Sequence, residues 1–463
     1  MMTVLTCTAF EPSCVVQWHL GYAQWADTPT GRGFDSYAGY LQGGEDYYTH
    51  KLQNGMDLWR NQTAAWDAYG KHSTAFFMEE AKRVLDTRNP TQPMFMYFAH
   101  QEVHAPLEVT PDSVDLQACV HENVTSPIGK EATAGRHTLC TMASNMDTAV
   151  GVFVDMLKAK AMWDNTLLWL TTDNGGMTYG INADGAPAIA VSVSSNWPLR
   201  AGKATLFEGG VRGVSFVAGG YVPVVARGKT RTELMQHVDL PVTMAKLAGA
   251  TWTMGTPDGY DVWDAVVGGA ILNRTEIPVN VDTCVGATGG PPCASSSKFN
   301  ALIWKLDKPP NVGTWKIIEA NQYAPICPNT TWCTGAGLYD GWWTNDPYTH
   351  VPFNATTQGA MPATDLKKGG IWLFDLSVDP NEERNVAAAN PQVVKDMRAR
   401  LAALADPKNG YQDPQTNIPS PLSLPILHNG TWAPFKKLGE ELEPMSEDYI
   451  HSVVEKLSTE FWD

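Results

Sequence analysis

The chain has 463 residues, enough for one large domain and a smaller one. Its formal net charge of −16 argues against a general nucleic-acid binder, because such proteins present a basic face. No stretch of uninterrupted apolar residues is long enough for a membrane span, so we predict no transmembrane helix.

The first part of the chain alternates apolar strands with amphipathic helices. Residues 1–17 show no clear pattern, and residues 18–72 predict loops with short elements, because they are rich in Gly, Tyr and Asp. A helix is predicted at 76–88, where apolar residues recur at helical spacing until an Asn-Pro pair ends the pattern. The continuous apolar run at 94–99 predicts a buried strand.

The same alternation continues further along the chain. Helices are predicted at 136–160 and 238–249, and strands at 166–172 and 213–218. Buried strands that alternate with helices are typical of an α/β layered domain. We therefore predict a large, mostly parallel sheet sandwiched by helices over residues 18–275.

After about residue 275 the pattern changes to short strands separated by long polar loops. The predicted strands are 300–306, 314–320 and 371–376. A helix follows, with its apolar residues between Val393 and Leu404. Residues 276–463 therefore predict a smaller C-terminal α+β domain built on a short antiparallel sheet.

Cysteines and glycosylation sequons favour passage through the secretory pathway. Two pairs of the eight cysteines enclose short loops rich in Gly, Pro, Ser and Thr, which suits local disulfides and not zinc binding. These pairs are Cys284/Cys293 and Cys327/Cys333. The Asn-x-Ser/Thr sequons begin at Asn61, Asn123, Asn273, Asn329, Asn354 and Asn429. We predict a lysosomal or extracellular protein, although residues 1–20 do not form a signal peptide.

The sharpest local signal is the segment 170–176, in which Asp173 and Asn174 directly follow a predicted strand. Ligands bind at this edge of an α/β sheet, and a carboxylate beside an amide oxygen suits a hard divalent cation. Gly175 and Gly176 let the backbone turn tightly. The alternative is a plain turn, since Asp-Asn-Gly-Gly is also good turn chemistry.

Three basic side chains are candidates for acid–base or anion-binding roles. His104 lies just past a predicted strand and could act as an acid or base, although a lone loop histidine is more often structural. His19 is ambiguous in the same way. Lys203 could hold an anion as a point charge or lie on the solvated surface. Nearby, Glu208 and Arg212 are predicted to form a structural ion pair.

The sequence contains no other recognisable catalytic motif. It has no Gly-x-Ser-x-Gly elbow, no P-loop and no His-Glu-x-x-His. No glycine-rich dinucleotide fingerprint follows a predicted strand. From the residues alone, the chain is predicted to be an α/β protein with a candidate metal and oxyanion site whose reaction stays open.

Taken together, these segments resemble the sulfatases of the alkaline-phosphatase-like superfamily, and most closely the arylsulfatase B group. The resemblance runs from Trp18 to about residue 405. In chain order, the shared motifs are WHLG at 18–21, TGRGFD at 30–35, GGEDYYTH at 43–50, VHAPL at 103–107, TDNGG at 172–176, the segment 197–213 that begins with WPLR, DGYDVW at 258–263, and LFDL at 373–376 followed by DP at 379–380 and EERN at 382–385. Motifs in this order are far more specific than any one of them.

The resemblance implies hydrolysis of a sulfuric ester of a sugar or an aryl alcohol. In the family, a formylglycine made from a cysteine attacks sulfur, while calcium and cationic side chains neutralise the sulfate oxygens. Carried over by motif, Asp173 and Asn174 would be two of the calcium ligands. His104 and Lys203 would bind sulfate and help the leaving oxygen depart. His19 would assist expulsion of sulfate from the covalent intermediate.

Three features of that family are missing from the sequence. No cysteine begins the Cys-x-Pro/Ala-x-Arg motif that supplies the nucleophile, and the paired aspartates of the first strand are absent. Gln17 stands where the family has a lysine before WHLG. Because the similarity begins at Trp18, residues 1–17 are predicted to be unrelated sequence, and the N-terminal part of the domain to be lost.

This loss has physical consequences that can be checked. Without a first strand the sheet would expose unpaired backbone groups, calcium would bind weakly, and no sulfatase turnover is expected. Two other functions stay open: a non-catalytic secreted glycoprotein that binds sulfated glycans, and a phosphatase or phosphodiesterase of the same fold. The sequence leaves open the identity of the sulfate ester, the disulfide connectivity, the oligomeric state, and whether the N-terminal part is missing through a mispredicted gene start or a genuine loss.

Overall fold

The computed structural model describes the framework of both predicted domains. The residues that it describes are 2–5, 11–110, 113, 130–177, 194–196, 198–203, 205–250, 252, 255–281, 299–307, 311–320, 370–409 and 421–436. Within them, the strands form an eight-stranded sheet, a four-stranded sheet and a two-stranded ribbon.

The elements follow the predicted order closely. The strands are β1 (Met2–Leu5), β2 (Glu11–Val16), β3 (Ser36–Gly39), β4 (Lys51–Leu52), β5 (Gly55–Met56), β6 (Trp59–Arg60), β7 (Thr63–Ala64), β8 (Met94–Ala99), β9 (Leu167–Thr171), β10 (Ser215–Ala218), β11 (Glu276–Asn280), β12 (Phe299–Leu306), β13 (Gly313–Ala320) and β14 (Gly370–Asp375). The α-helices are α1 (Ser73–Thr87), α2 (Lys130–Ala159), α3 (Glu208–Val211), α4 (Asp239–Leu247), α5 (Trp263–Gly268) and α6 (Pro391–Leu404).

The large sheet is mixed, and the prediction of a mostly parallel sheet was wrong in this respect. Its strand order is β10-β9-β1-β8-β2-β3-β6-β7, and among these described strands only the β8–β2 and β2–β3 pairs are parallel. β1 runs antiparallel to both neighbours, β8 and β9, so that those two strands run parallel to each other. Their carboxyl ends therefore lie at the same edge of the sheet.

Helices cover both faces of this sheet, which confirms the predicted α/β layers. On one face, Phe77 of α1 and Phe153 of α2 share a core with Met96 of β8. On the other face, Met244 of α4 packs in a core with Trp169 of β9. Burial of apolar surface between the layers stabilises the domain by roughly 25 cal/mol per Å².

The segment before Trp18 belongs to the large sheet. β1 lies between two strands, with Val4 paired to Met96 on one side and to Leu168 on the other. β2 pairs with β8 and β3. The sequence predicts no strand in this segment and therefore a sheet with unpaired backbone groups. Both predictions were wrong. The apolar run of β2 is only Cys14, Val15 and Val16, and it follows Pro12 and Ser13, which hides the strand from a search for periodicity.

No fold boundary falls at residue 17, because β2 continues directly into the loop that carries His19. The side chains of Cys14, Val15 and Val16 are buried in the large domain. Whether residues 1–17 are unrelated to the family sequence stays a prediction, whereas in space β2 is part of the domain.

The second sheet confirms the predicted antiparallel domain. Its order is β11-β12-β13-β14, and every described pair is antiparallel. Helix α6 lies against it, with Met397 and Leu401 packed in one core with Leu302 and Ile317. The sequence missed β11, which contains Pro278 and a register shift after it.

The end of the described chain returns to the large domain. Trp432 donates its backbone N–H to the Met56 carbonyl at 2.9 Å and its indole N–H to the Leu52 carbonyl at 2.9 Å. Ala433 packs beside Trp59 in the core of that domain. The prediction that all of 276–463 forms the smaller domain was therefore wrong for this segment.

The helices, cysteines and sequon asparagines bear on the predicted localisation. Among the described helices, none has both the length and the apolar character needed to cross a bilayer. Cys14 is a buried free thiol, whereas both predicted disulfides lie outside the described residues. Three sequon asparagines are exposed, and the other three lie outside the described residues. The exposed ones are Asn61, Asn273 and Asn429.

Candidate active site

All five predicted site residues lie at or near the carboxyl edge of β8 and β9. β8 ends at Ala99 and the loop after it carries His104, whereas β9 ends at Thr171 and Asp173 follows with Asn174. Lys203 lies in the loop before α3, and His19 in the loop after β2. Four segments that are distant in sequence thus converge on one edge of the sheet.

His104 is held in one tautomer by its neighbours. Its Nδ1 lies 2.8 Å from the Ala105 carbonyl oxygen, which can only accept, so Nδ1 carries the proton. Nε2 therefore presents its lone pair, and Lys203 Nζ donates to it at 3.1 Å. The Tyr47 hydroxyl donates to the His104 carbonyl oxygen at 3.0 Å and fixes the loop from the other side.

The His104–Lys203 contact places a neutral imidazole beside a cation in a half-buried position. Burial lowers the pKa of His104, and the positive charge of Lys203 lowers it further, against the opposing effects of the Ala105 carbonyl and Asp173. An oxyanion that bound beside Lys203 would reverse this balance and favour the imidazolium. The pair can therefore bind an anion and then supply a proton to it.

Asn196 connects the Lys203 loop to the Asp173 turn. Its Oδ1 accepts from the Gly176 backbone N–H at 2.8 Å, and its Nδ2 donates to the carbonyls of Gly176 and Ala201 at 2.9 Å each. The Lys203 backbone N–H also donates to the Gly176 carbonyl at 3.0 Å. These bonds hold the acidic and basic parts of the site at a set spacing, a role that the sequence did not indicate.

Gly175 is required for close approach and not for a tight turn. A Cβ at this position would lie 1.7 Å from the Gly209 carbonyl oxygen, and its φ is outside the left-handed region. Its backbone N–H donates to the Gly210 carbonyl at 3.0 Å. The turn is therefore pressed against the start of α3, whereas the sequence suggested only conformational freedom.

His19 lies on the exposed side of the site, against Gly43. A Cβ on Gly43 would come within 2.6 Å of the His19 ring, and a Cβ on Gly44 would come within 3.5 Å of the His104 ring. The two consecutive glycines thus present bare backbone to both histidines. A positive charge on His19 lowers the pKa of His104, because the two rings are close enough to interact electrostatically.

The predicted calcium ligands do not form a calcium site by themselves. Asp173 is exposed, and its Oδ1 accepts from the Asn174 backbone N–H at 2.8 Å. The Asn174 Nδ2 donates to the Gly175 carbonyl at 2.7 Å. Calcium takes six to eight oxygen ligands, whereas the described part of the chain contains no group of three His, Cys, Asp or Glu side chains suited to a metal ion. Calcium binding therefore stays a prediction.

Glu102 is a buried carboxyl group two residues before His104. Its Oε2 lies 3.9 Å from His100 Nδ1. Burial raises the pKa of Glu102 to about 7 and lowers the pKa of His100 to about 3. At neutral pH the histidine is therefore uncharged and does not compensate an ionised Glu102. No pattern in the sequence indicates this buried carboxyl group, because burial is decided by packing.

Glu208 has a closer partner than the predicted one. Arg212 lies 3.8 Å from Glu208 and is largely exposed. Lys316 of β13 is fully buried and lies 2.8 Å from Glu208. The predicted pair is present, but the stronger contact comes from the second sheet, more than a hundred residues away. Nothing in the sequence spacing identifies it.

Comparisons with known proteins agree in the family that they indicate. The family model described as Sulfatase matches residues 1–250, which is more than half of the chain. Arylsulfatase J of Mus musculus is 30% identical over 439 residues, which are 92% of this chain and 65% of that protein. The chain thus spans just under two thirds of the length of that relative.

A second relative matches at lower identity, and a solved structure has a similar fold. The N-acetylgalactosamine-6-sulfatase of Canis lupus familiaris is 23% identical over 451 residues, which are 93% of this chain and 72% of that protein. The crystal structure of Ps i-CgsB in complex with k-i-k-neocarrahexaose has a TM-score of 0.57 at 20% identity, and the match covers 85% of this chain and 71% of that chain. At this identity the structural likeness shows the fold.

Proposed function

Because the chain belongs to the sulfatase family, we propose that its site binds the sulfate group of a sulfated carbohydrate or an aryl sulfate. The reaction class is hydrolysis of a sulfuric ester, with arylsulfatase B as the nearest group. The sequence lacks the Cys-x-Pro/Ala-x-Arg motif. We therefore expect this exact chain to bind sulfate esters without turning them over.

The observation that carries the proposal is the 3.1 Å contact between Lys203 Nζ and His104 Nε2. The ammonium group would bind the sulfate oxygens through charge-assisted hydrogen bonds in a half-buried position. The bound anion favours protonation of His104 at Nε2. The imidazolium then holds a proton at the position where an ester oxygen would leave, which is general-acid chemistry.

His19 and the acidic turn complete the proposed site. His19, on the exposed side, would face the departing sulfate. Asp173 and Asn174 would be the ligands of calcium, which supplies electrostatic stabilisation of the sulfate oxygens when bound. No step depends on calcium here, because the described residues supply too few ligands for it.

The ligand class follows from the names of the relatives. One is named for a 6-sulfated N-acetylgalactosamine and another for aryl sulfates. A sulfated amino sugar and an aryl sulfate are therefore the two probes to compare. The exposed sequons support a protein of the secretory pathway, which we propose to be lysosomal or extracellular.

Binding of N-acetylgalactosamine 6-sulfate, measured by titration calorimetry, tests the anion site. We expect the purified chain to bind this sugar and to show no binding of unsulfated N-acetylgalactosamine. Lys203→Met should weaken binding about 10- to 100-fold, since a hydrogen bond to a charged group contributes about 1.5–3 kcal/mol. Lys82→Met is the matched control, because Lys82 is an exposed residue of α1 that pairs with Asp86. Equal affinity in all three proteins would refute the proposal.

Release of 4-nitrophenol separates the remaining functions. No release from 4-nitrophenyl sulfate, together with sulfate-dependent binding, supports the sulfated-glycan binder for this exact chain. Release from the sulfate ester would overturn the expected inactivity while keeping the sulfatase assignment. Release from 4-nitrophenyl phosphate alone would favour a phosphatase.

A further inference from the structure

A buried ion cluster joins the second sheet to the candidate active site. Lys316 Nζ lies 2.8 Å from Glu208 Oε1 and 2.8 Å from Glu382 Oε1. The side chains of Lys316 and Glu382 are fully buried, and that of Glu208 is nearly so. Such a cluster costs desolvation energy and is a poor way to gain stability alone. Its position therefore suggests another role.

Lys316 is charged in this cluster. Burial lowers its pKa, but the nearby carboxylates of Glu382 and Glu208 outweigh that effect and raise the pKa above its usual value. The ammonium group thus holds two carboxylates that would otherwise repel each other. Removing its charge would leave Glu382 without this cation and Glu208 with only the largely exposed Arg212, 3.8 Å away.

The cluster is built from three separate parts of the fold. Lys316 comes from β13, Glu208 begins α3, and Glu382 lies in the loop after β14. The Glu208 backbone N–H donates to Glu382 Oε2 at 2.6 Å. A guanidinium N–H of buried Arg200 donates to the Glu382 carbonyl at 2.9 Å. The second sheet therefore holds both ends of the segment 200–208, which contains Lys203.

The same segment contacts the acidic turn of the site. The Lys203 backbone N–H donates to the Gly176 carbonyl at 3.0 Å. In α3, the Gly209 N–H donates to the Arg200 carbonyl at 2.7 Å, and the Gly210 carbonyl accepts from the Gly175 N–H at 3.0 Å. The Lys203 loop is thus fastened to the cluster at its base and to the Asp173 turn at its tip. One continuous set of bonds thus connects Lys316 with the Lys203 loop and the Asp173 turn.

We propose that Lys316 is a positioning residue for the anion site. It fixes Glu208 and Glu382, and through them it keeps Lys203 in contact with His104. The smaller domain thereby contributes to anion binding without touching the anion. This inference rests on the proposed role of the His104–Lys203 pair in binding sulfate.

Comparison of Lys316→Met with Arg400→Met tests the positioning role. Arg400 of α6 pairs with Glu276 of β11 in the same domain, and no described contact of this pair reaches the site. Lys316→Met removes the cation of the buried ion cluster, whereas Arg400→Met removes one ion pair within the smaller domain. A purely structural role predicts that the two variants alter the site equally once their melting temperatures are taken into account.

The first readout is the ¹⁵N signal of His104 Nε2, assigned with His104→Gln. We expect Lys316→Met to change this signal, because Nε2 loses its donor, and Arg400→Met to leave it unchanged. The second readout is affinity for N-acetylgalactosamine 6-sulfate, which should fall about tenfold in Lys316→Met only. An unchanged Nε2 signal in folded Lys316→Met, or an equal change in Arg400→Met, overturns the inference.

Glu208→Gln keeps the test decisive if Lys316→Met does not fold. In this variant Lys316 remains paired with Glu382, so the buried charge stays compensated. The contact to α3 is weakened, and we expect the same change of the His104 signal in smaller degree. No change would refute the positioning role. If the unaltered chain binds no sulfated sugar, the proposed function fails, while the Nε2 signal still tests the positioning.

Discussion

The two halves of the candidate site are held by different kinds of contact. In the basic half, side chains bind one another: Lys203 donates to His104, and the Ala105 carbonyl fixes the tautomer of the imidazole. In the acidic half, backbone contacts and the Asn196 side chain hold the turn, while the exposed Asp173 side chain accepts from the adjacent residue Asn174. The basic half is therefore organised before an anion arrives, whereas the acidic half would need further ligands to hold a cation.

Gly175→Ala should have the largest effect, because it breaks the backbone contact on which the acidic half depends. The new Cβ would lie 1.7 Å from the Gly209 carbonyl oxygen, so α3 or the turn must shift. We expect the free energy of unfolding to fall by at least about 3 kcal/mol, as measured by urea denaturation.

Gly151→Ala is the matched control for this change. Gly151 lies within α2, and a Cβ there meets nothing within 4 Å. Alanine should stabilise the helix by about 0.5–1 kcal/mol. Equal effects of the two substitutions would show that Gly175 is not in close contact with α3.

Glu102→Gln should remove a pH-dependent loss of folding stability that arises next to the basic half. Burial raises the pKa of Glu102 from the usual 4.5 to about 7, so the folded state holds a proton that the unfolded state releases. Its contribution to stability is therefore complete below pH 4.5 and is lost as the pH rises to about 7. The variant should match the parent chain at pH 4 and exceed its stability by about 3 kcal/mol above pH 7.

Chemical unfolding at several pH values measures this difference. Glu79→Gln, which removes a largely exposed carboxylate of α1, is the control for the loss of one negative charge. A constant difference between Glu102→Gln and the parent from pH 4 to pH 8 would contradict a raised pKa at this position.

Gly43→Ala should disturb the exposed edge of the basic half without much loss of stability. The added Cβ would come within 2.6 Å of the His19 ring, but this ring is exposed and can swing away. We expect a change of less than about 1 kcal/mol in unfolding free energy, and a clear shift of the His19 ring signals in NMR spectra. Gly44→Ala, whose Cβ would make an ordinary 3.5 Å contact with His104, should leave the His19 signals in place.

Calcium should have the smallest effect, because the acidic half supplies few ligands. We expect about 1 mM calcium, compared with a chelator, to raise the melting temperature by less than about 1 °C. Asp173→Asn should not alter that result. A larger shift that Asp173→Asn abolishes would show that the turn binds calcium with additional ligands. The acidic half would then be organised for ion binding as well as the basic half.

The elements of the fold were largely predictable because their signals are local. The apolar run of β8 was placed at its exact bounds, and the helix that contains Val393 and Leu401 was recognised from its spacing. The order of motifs indicated the family, which the family model confirmed. β1 and β2 were missed, since β1 has only four residues and β2 begins with Glu11, Pro12 and Ser13, and both are stabilised as strands by their neighbours in the sheet.

The candidate site was predictable in its residues but not in its arrangement. His104, Lys203, Asp173, Asn174 and His19 could be named from the motifs that contain them. Their convergence depends on contacts between distant segments, which no spacing in the sequence records.

By itself, the sequence determined the kinds of element, their order and the chemical types available for a site, because periodicity and motifs depend on nearby residues. Only the tertiary structure decided which of these residues meet. It brought Lys203 to His104, pressed Gly175 against Gly209 and buried Lys316 between two carboxylates. The reason is physical: burial, close backbone approach and charge pairing arise from packing between segments that lie far apart in the chain.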